Sequence, residues 1–443
     1  MSTIGTTVSP SERREIYKDN FVEYMLCLAL DVGEAMLKNG GEISRVEDTI
    51  ERICRAYGAV HVEVFTIISV INAAVRMPDG SYSSQLRRIK ATGTNLGMLE
   101  KFNALSRKIC KEKPSLDDFD RELHSHKKHR YYLPVILYLA SAVAAGGFAM
   151  FFGGSIKDGA IAFLIGAIVQ LIDSKAPKRV NVMAKTVISA FITSLLAILS
   201  AHFGISDSPD YVIMGVIMLL VPGVAFGTAM RDLLYGDLLA GSLKTLQATL
   251  IALMIAFGYM ISAVLLDSFS VTVAATAPAS PDFEVFFKPI FFIACIGSLL
   301  GSLSFAVMFR VAPKHLLLGT LCGLITYVIY YIVEFYTGGM VFPAAFVSTI
   351  FTALFAEVCS RIRKAPTIIF LIPGVIPTVP GGALYRTMRN LLLQDWQSAL
   401  DAFLTTMQVG LGIAGGILTV SIVYGTVNQY ITKAKAKKHS NNI

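Results

Sequence analysis

The hydrophobic pattern changes character near residue 130. Before it, apolar residues recur at helical or alternating spacing. After it, they run nearly unbroken for about 20 residues at a time, the length that crosses a hydrocarbon core as a helix. Ten such runs lie near 132–153, 157–173, 182–204, 211–229, 239–266, 287–309, 315–333, 340–360, 366–385 and 403–428. They predict a polytopic α-helical membrane protein of about ten transmembrane helices, preceded by a small cytoplasmic α+β domain.

In the first part, the stretch 21–41 sets Val22, Leu26, Ala29, Leu30, Met36 and Leu37 on one helical face, with Gly33 among them as a mark of close packing. Gly40 and Gly41 end that helix. A second helix over 42–58 carries Ser44 and Glu47 at capping-box spacing and stops at Gly58. The run 59–76 is β-rich, MPDG is a turn, and 81–91 reads as a paired strand. Helices follow at about 95–111 and 115–125, for the order ααββαα.

Charge sharpens the boundary. Of the first 130 residues 38 are Lys, Arg, Asp or Glu, against 32 of the remaining 313, so the first part has the composition of a soluble domain and the rest of a membrane domain. The expected division is a cytoplasmic domain over 1–130, five-helix repeats over 131–270 and 285–430, and a basic cytoplasmic tail over 431–443. The opening MSTIGTTVSPSERREIYKDN has no apolar core and no cleavage site, which predicts no signal peptide and a cytoplasmic first domain. The net charge of +8 concentrates at HSHKKHR, SKAPKR, SRIRK and KAKAKKH, beside apolar runs, as in cytoplasmic loops, so it calls for no nucleic acid. Six cysteines lie far apart without a CxxC pair and read as free thiols. The loop YRTMRNLLLQD opposes the charge rule, because its two arginines fall on the outer side.

A repeat accounts for that loop. VPGVAFGTAMRDLLYGD (221–237) and VPGGALYRTMRNLLLQD (379–395) align without gaps at an offset of 158, with nine of seventeen positions identical. A weaker match pairs 155–172 with 312–329 at an offset of 157. Each half then holds five spans, an odd number, so the second half enters the membrane inverted. Gly/Pro-interrupted helices at matching positions of inverted repeats point to the substrate site of a secondary transporter. On that ground Pro222 and Gly223 in span four with Arg231 just after it, and Pro373, Gly374, Pro377, Pro380 and Gly381 in span nine with Arg386 and Arg389 just after it, are the candidate substrate-binding residues. Simple kinks, and arginines that anchor helix ends at the headgroups, are the milder alternatives.

Acids in or beside the spans are candidates for carrying a coupling proton: Asp232, Asp237, Glu357 and Asp395. For Glu357 the alternative is an ion pair with Arg361, one turn on. The soluble motif GGEISRVEDT gathers Glu42, Ser44, Arg45, Glu47 and Asp48, either as a hydrolytic or ligand-binding cluster or as a capped, solvated first turn. Cys54 and His61 lie nearby without completing a nucleophile arrangement. No metal-ligand spacing, phosphate loop or nucleotide signature is present, so neither a cofactor nor ATP-driven transport by this chain is expected.

With GGEISRVEDTIERICRAYG and IPGVIPTVPGGALYRTMRNLL in view, the sequence resembles the threonine/serine exporter family over nearly its full length, in the form that fuses both halves in one chain. The resemblance implies a transporter rather than an enzyme, in the cell membrane, exporting threonine and serine in exchange for protons. Two rivals stay open: a dicarboxylate (succinate-type) exporter, and a membrane-anchored hydrolase acting through residues 42–61. The oligomeric state is left open, a homo-oligomer included.

Overall fold

The computed structural model describes residues 10–17, 20–90, 92–126, 131–177, 180–221, 228–229, 232–233, 238–267 and 289–440. The chain separates into two compact units. The first takes in residues 1–133 together with the short segments 309–313 and 363–366; the second holds the remainder.

In the first unit, helices α1 (Pro10–Ile16), α2 (Phe21–Lys38) and α3 (Ile43–Ala56) precede strands β1 (His61–Ile67), β2 (Val70–Arg76) and β3 (Tyr82–Arg88), and α4 (Leu96–Glu112) and α5 (Leu116–His126) follow. Helix α2 starts where the Asn20 side chain accepts from the Glu23 N–H at 3.0 Å. It ends as Gly40, at φ +91°, turns the chain and the Gly41 N–H reaches back to the Met36 carbonyl at 2.9 Å. Gly33 does mark close packing: a Cβ there would lie 2.5 Å from Ile50 Cδ1 of α3. The strands form one antiparallel sheet in the order β1-β2-β3. The run 59–76, read from sequence as one β segment, is two strands folded at Ile68–Ser69 with Ile67 opposite Val70. No Gly or Pro marks that turn, so the pattern concealed it.

Two further differences concern local chemistry. The capping box at Ser44 and Glu47 does not form. Glu42 is the N-cap, and Glu47 instead accepts the Thr66 backbone N–H at 2.7 Å, tying α3 to β1. Helix α1 was not foreseen. Its Arg13 side chain is wholly buried and bridges Asp31 of α2 at 2.7 Å and Asp120 of α5 at 3.5 Å. Burial works against the Arg13 charge, but the two carboxylates outweigh it and hold its pKa above the ordinary value.

The second unit begins with α6 (Pro134–Phe151), α7 (Ile156–Lys175), α8 (Val182–His202), α9 (Pro209–Ile217) and α10 (Leu238–Asp267). It continues through α11 (Pro289–Met308), α12 (Pro313–Tyr336), α13 (Val341–Arg363), α14 (Ile368–Val375), α15 (Gly381–Leu392) and α16 (Trp396–Ser440). Among the described residues seven of these helices are long and apolar enough to cross a membrane, or eight if the bent pair α14–α15 is one span. Two of the ten expected spans are not among them. The run 157–173 falls on α7, which carries Lys157 and Asp158 at one end and Asp173 and Lys175 at the other. Within the run 211–229 the described residues give the nine-residue α9 and turns over 218–220, and 222–227 lie outside the described residues.

Small residues set the helix crossings, as expected where packing rather than hydrophobic burial draws helices together. A Cβ on Gly297 of α11 would sit 2.7 Å from the Gly147 carbonyl of α6, and one on Gly215 of α9 would sit 2.5 Å from the Ala145 carbonyl. Two hydrogen bonds recur at a spacing of 157 residues. Ser141 Oγ donates to the Gly166 carbonyl at 3.0 Å between α6 and α7, and Ser298 Oγ donates to the Gly323 carbonyl at 3.4 Å between α11 and α12.

Candidate functional site

Both proline-bearing stretches are interrupted, the first ahead of its proline and the second at Pro380. Helix α9 ends at Ile217, with turns over 218–220, before Pro222 is reached. Pro222, Gly223 and Arg231 lie outside the described residues, as does Asp237. In the second stretch Pro373 is carried inside α14. A 3-10 turn over Ile376–Thr378 holds Pro377, and the chain breaks at Val379–Pro380 before α15 begins, the two parts bent by 46°.

Proline chemistry fits this shape. Pro373 and Pro377 lack the N–H groups that would bond the carbonyls of Ile369 and Pro373 four residues back. That face of α14 lies against glycines one turn apart on α12. A Cβ on Gly319 would be 3.4 Å from the Pro373 ring, and one on Gly323 would be 3.0 Å from the Pro373 carbonyl. Gly374 is equally enclosed, since its Cβ would meet Thr352 and Cys322 within 2.7 Å. Buried hydroxyls collect here: Thr326 and Thr352 bond each other at 2.7 Å, and Ser302 is fully buried.

Helix α15 turns one face to α9. At its start, a Cβ on Gly381 would fall 2.2 Å from Met218 Sδ, just past the end of α9. Four residues on, Tyr385 donates its hydroxyl to Asp210 Oδ1 at 2.6 Å. After another turn, Arg389 Nε lies 3.5 Å from the same oxygen, with side chains 9% and 6% exposed. Asp210 is in the first turn of α9, where the helix dipole favours a carboxylate. Tyr259 of α10 packs edge-on to Tyr385, with ring centroids 5.8 Å apart. The spacing 381, 385, 389 is one helical face. Arg389 is thus buried and paired, unlike an arginine that anchors a helix end at the headgroups. Arg386 is half-buried, and its charge acts on Tyr330 of α12, which also feels Glu334.

The remaining predicted residues scatter. Asp232 is buried against Lys244 of α10. Glu357 accepts the Thr367 hydroxyl at 3.1 Å. The alternative, an ion pair with Arg361, is not found among the described residues, and Arg361 lies 4.1 Å over the Tyr424 ring. Asp395 is an exposed cap that accepts the Ser398 N–H at 3.1 Å, and bonds from Ser398 hold its pKa below the ordinary carboxylate value. In the first unit Ser44 and Asp48 are exposed, Arg45 lies 3.8 Å from Glu42, and Asp48 pairs with Arg52 at 2.7 Å. Cys54 is buried in the core of α3, which pushes its thiol pKa up to about 12, whereas His61 is exposed beside Glu63. This surface does not bring a nucleophile to a base.

Sequence reasoning missed Asp210, Tyr385 and Glu334. The signal for Asp210 was present, as an acid directly after a proline at the head of an apolar run, but it read as loop. Glu334 stood in the apolar stretch YYIVEFY.

Helices of this length and apolarity, joined to a small α+β unit, define a multi-pass membrane protein. A family model described as "Putative threonine/serine exporter" matches residues 27–266, and a second, "Threonine/Serine exporter, ThrE", matches residues 294–423. The chain belongs to the threonine/serine exporter family. It is 23% identical to the threonine/serine exporter of Corynebacterium glutamicum, covering 92% of this chain and 85% of that protein. It is 23% identical to the "Probable threonine/serine exporter" of Mycobacterium tuberculosis, over 90% and 77%. Pheromone-regulated membrane protein 10 of Debaryomyces hansenii is 23% identical over 75% of this chain and 35% of its own length. No solved structure matches.

Proposed function

We propose that the protein is a secondary-active exporter of small amino acids, L-threonine and L-serine, exchanged for protons by alternating access where α9 meets α15. The substrate class rests on the family and on what its relatives are named. The location rests on one observation: two interrupted elements lie side by side, with Gly381 against Met218 and Arg389 paired with Asp210. A transporter's site is expected at broken helices near the midplane. Pro373, Gly374, Pro377, Pro380, Gly381, Arg386 and Arg389 line one side of the path. Pro222, Gly223 and Arg231 are their counterparts in the first half.

Two inverted halves of five spans are the arrangement we favour, and the repeated Ser–Gly bonds support it. In it the first unit and the C-terminus face the cytoplasm, and the protein sits in the cell membrane. Asp232, Asp237, Glu357 and Asp395 are the acids that the repeat and its flanks offer for proton exchange. The soluble motif at Glu42, Ser44, Arg45, Glu47 and Asp48 then serves structure.

The test is efflux from cells loaded with labelled threonine, serine or succinate, with membrane expression checked. Pro380→Ala and Arg389→Ala should abolish threonine efflux while Glu47→Ala leaves it intact. Loss only in Glu47→Ala would move the function to the soluble unit. Efflux of succinate but not threonine would make it a dicarboxylate exporter.

A further inference from the structure

The exporter reading leaves one question: which groups meet the ammonium of an amino acid as well as its carboxylate. We propose that Asp210 and Arg389 form the zwitterion station of the path: Asp210 takes the substrate ammonium, Arg389 takes its carboxylate, and a proton on Asp210 competes with the ammonium. This inference rests on the exporter reading and adds to it a specificity residue outside the repeated motif.

Charge and geometry carry it. The two side chains come from different halves of the chain and pair at 3.5 Å in a buried setting. An α-amino acid carries both charged groups on one carbon, so it can insert between these two side chains and pair with each. No buried charge is then left uncompensated, which is the condition for a charged site away from water. The Arg389 guanidinium can hold a carboxylate with two parallel hydrogen bonds. The Tyr385 hydroxyl, at 2.6 Å, fixes the Asp210 carboxylate on the side facing α15. A dicarboxylate in the same place would set a like charge against Asp210, a built-in rejection. The station lies eight residues along α15 from the Gly381 break, about 12 Å at 1.5 Å per residue, and so is a distinct point on the path.

Proton exchange follows from competition. When Asp210 is ionised it can bind the ammonium; when it gains a proton at its carboxylate it cannot. The group that titrates is Asp210, faced by Tyr385 and Arg389 of α15 and by Tyr259 of α10. Among the described residues, the groups on the neighbouring elements that follow have partners or positions of their own. Asp158 of α7 accepts the backbone N–H groups of Asp207 and Ser208, and Lys157 pairs with Asp207. Lys175 ends α7, where Asp173 pairs with Lys185 of α8. His202 of α8 is exposed against Phe203, Tyr138 of α6 bonds Ser174, Tyr211 of α9 packs at Gly153, and Lys244 of α10 pairs with Asp232.

The experiment uses the full chain in proteoliposomes, measuring threonine counterflow as a function of pH. Competition is read with 2,3-dihydroxybutyrate, which keeps the carboxylate and hydroxyl but lacks the ammonium. Wild type should lose threonine affinity as pH falls and should ignore the hydroxy acid. Asp210→Asn should weaken threonine by at least about tenfold, as expected when one member of a buried charge pair is truncated. It should also flatten the pH profile and bring threonine and the hydroxy acid to comparable affinity. Asp210→Glu should keep the pH dependence. If Asp210→Asn does not fold, Tyr385→Phe decides, because loss of its hydrogen bond should move the pH midpoint upward. An Asp210→Asn protein that keeps both pH dependence and amino-acid preference, or an unmoved midpoint in Tyr385→Phe, overturns the proposal. A wild type that moves no threonine at any pH overturns the exporter reading instead.

Discussion

Replacing Arg13 by Met removes a guanidinium that joins α1, α2 and α5. Arg13 and its partners Asp31 and Asp120 have wholly buried side chains. Asp31 would keep Arg87, at 3.5 Å, while Asp120 would keep Tyr24, at 3.3 Å, and His124, at 3.0 Å. The cluster would therefore hold two buried carboxylates, Asp31 and Asp120, against one remaining arginine, Arg87. Breaking a buried pair by removing one partner costs about 3–5 kcal/mol. That is a large part of the 5–15 kcal/mol that typically stabilises a domain. At about 1.4 kcal/mol per factor of ten, it raises the open population roughly 100- to several-thousand-fold. The assay is hydrogen exchange by mass spectrometry on the full-length protein in detergent, following peptides of α2 and α5. Their protected amides should exchange faster by that factor, and Asp120→Asn added to Arg13→Met should recover part of the loss by removing the stranded charge. Exchange within about threefold of wild type, under 1 kcal/mol on the same scale, would refute the view that this cluster ties the unit together.

Other outcomes can be checked alongside. Gly33→Val drives a side chain into Ile50 and should destabilise the first unit by about 1–3 kcal/mol, read as earlier exchange of α2 and α3. Cys54 should resist iodoacetamide at pH 8 in the native protein and react once unfolded. Its folded pKa of about 12 exceeds the unfolded value of about 8.5, so the thiol form favours folding up to pH 8.5 and that contribution falls away as pH rises towards 12. Pro377→Ala restores a donor for the Pro373 carbonyl and should straighten the α14–α15 bend, slowing threonine exchange without lowering thermal stability.

Much of the fold could be read from periodicity. The glycine stops of α2 and α3 and the apolar runs of α6, α8, α10 to α13 and α16 follow from spacing alone, whereas α2 is buried nearly all round, Asp31 and Glu34 included, rather than on one face. What escaped reading depends on contacts far apart in sequence. The turn at Ile68–Ser69 carries neither Gly nor Pro, and α1 is held by Arg13, whose partners stand 18 and 107 positions away. Glu47 looked like a cap because capping boxes are local, yet its partner is a strand N–H. At the site, the repeat identified Arg389, but its partner Asp210 is 179 residues earlier and has no acidic counterpart at the matching position, Thr367. Internal symmetry exposes what is duplicated and conceals what is not.

The central claim is that α9 and α15 separate or slide during transport. Met218 and Gly381 approach closely enough for a bridge, so Met218→Cys with Gly381→Cys, in a chain whose six native cysteines are replaced, can be cross-linked by oxidation. Threonine counterflow in the reduced double variant should stop on oxidation and return on reduction, while oxidation makes no difference to either single-cysteine variant. Full exchange in the cross-linked protein would contradict the account.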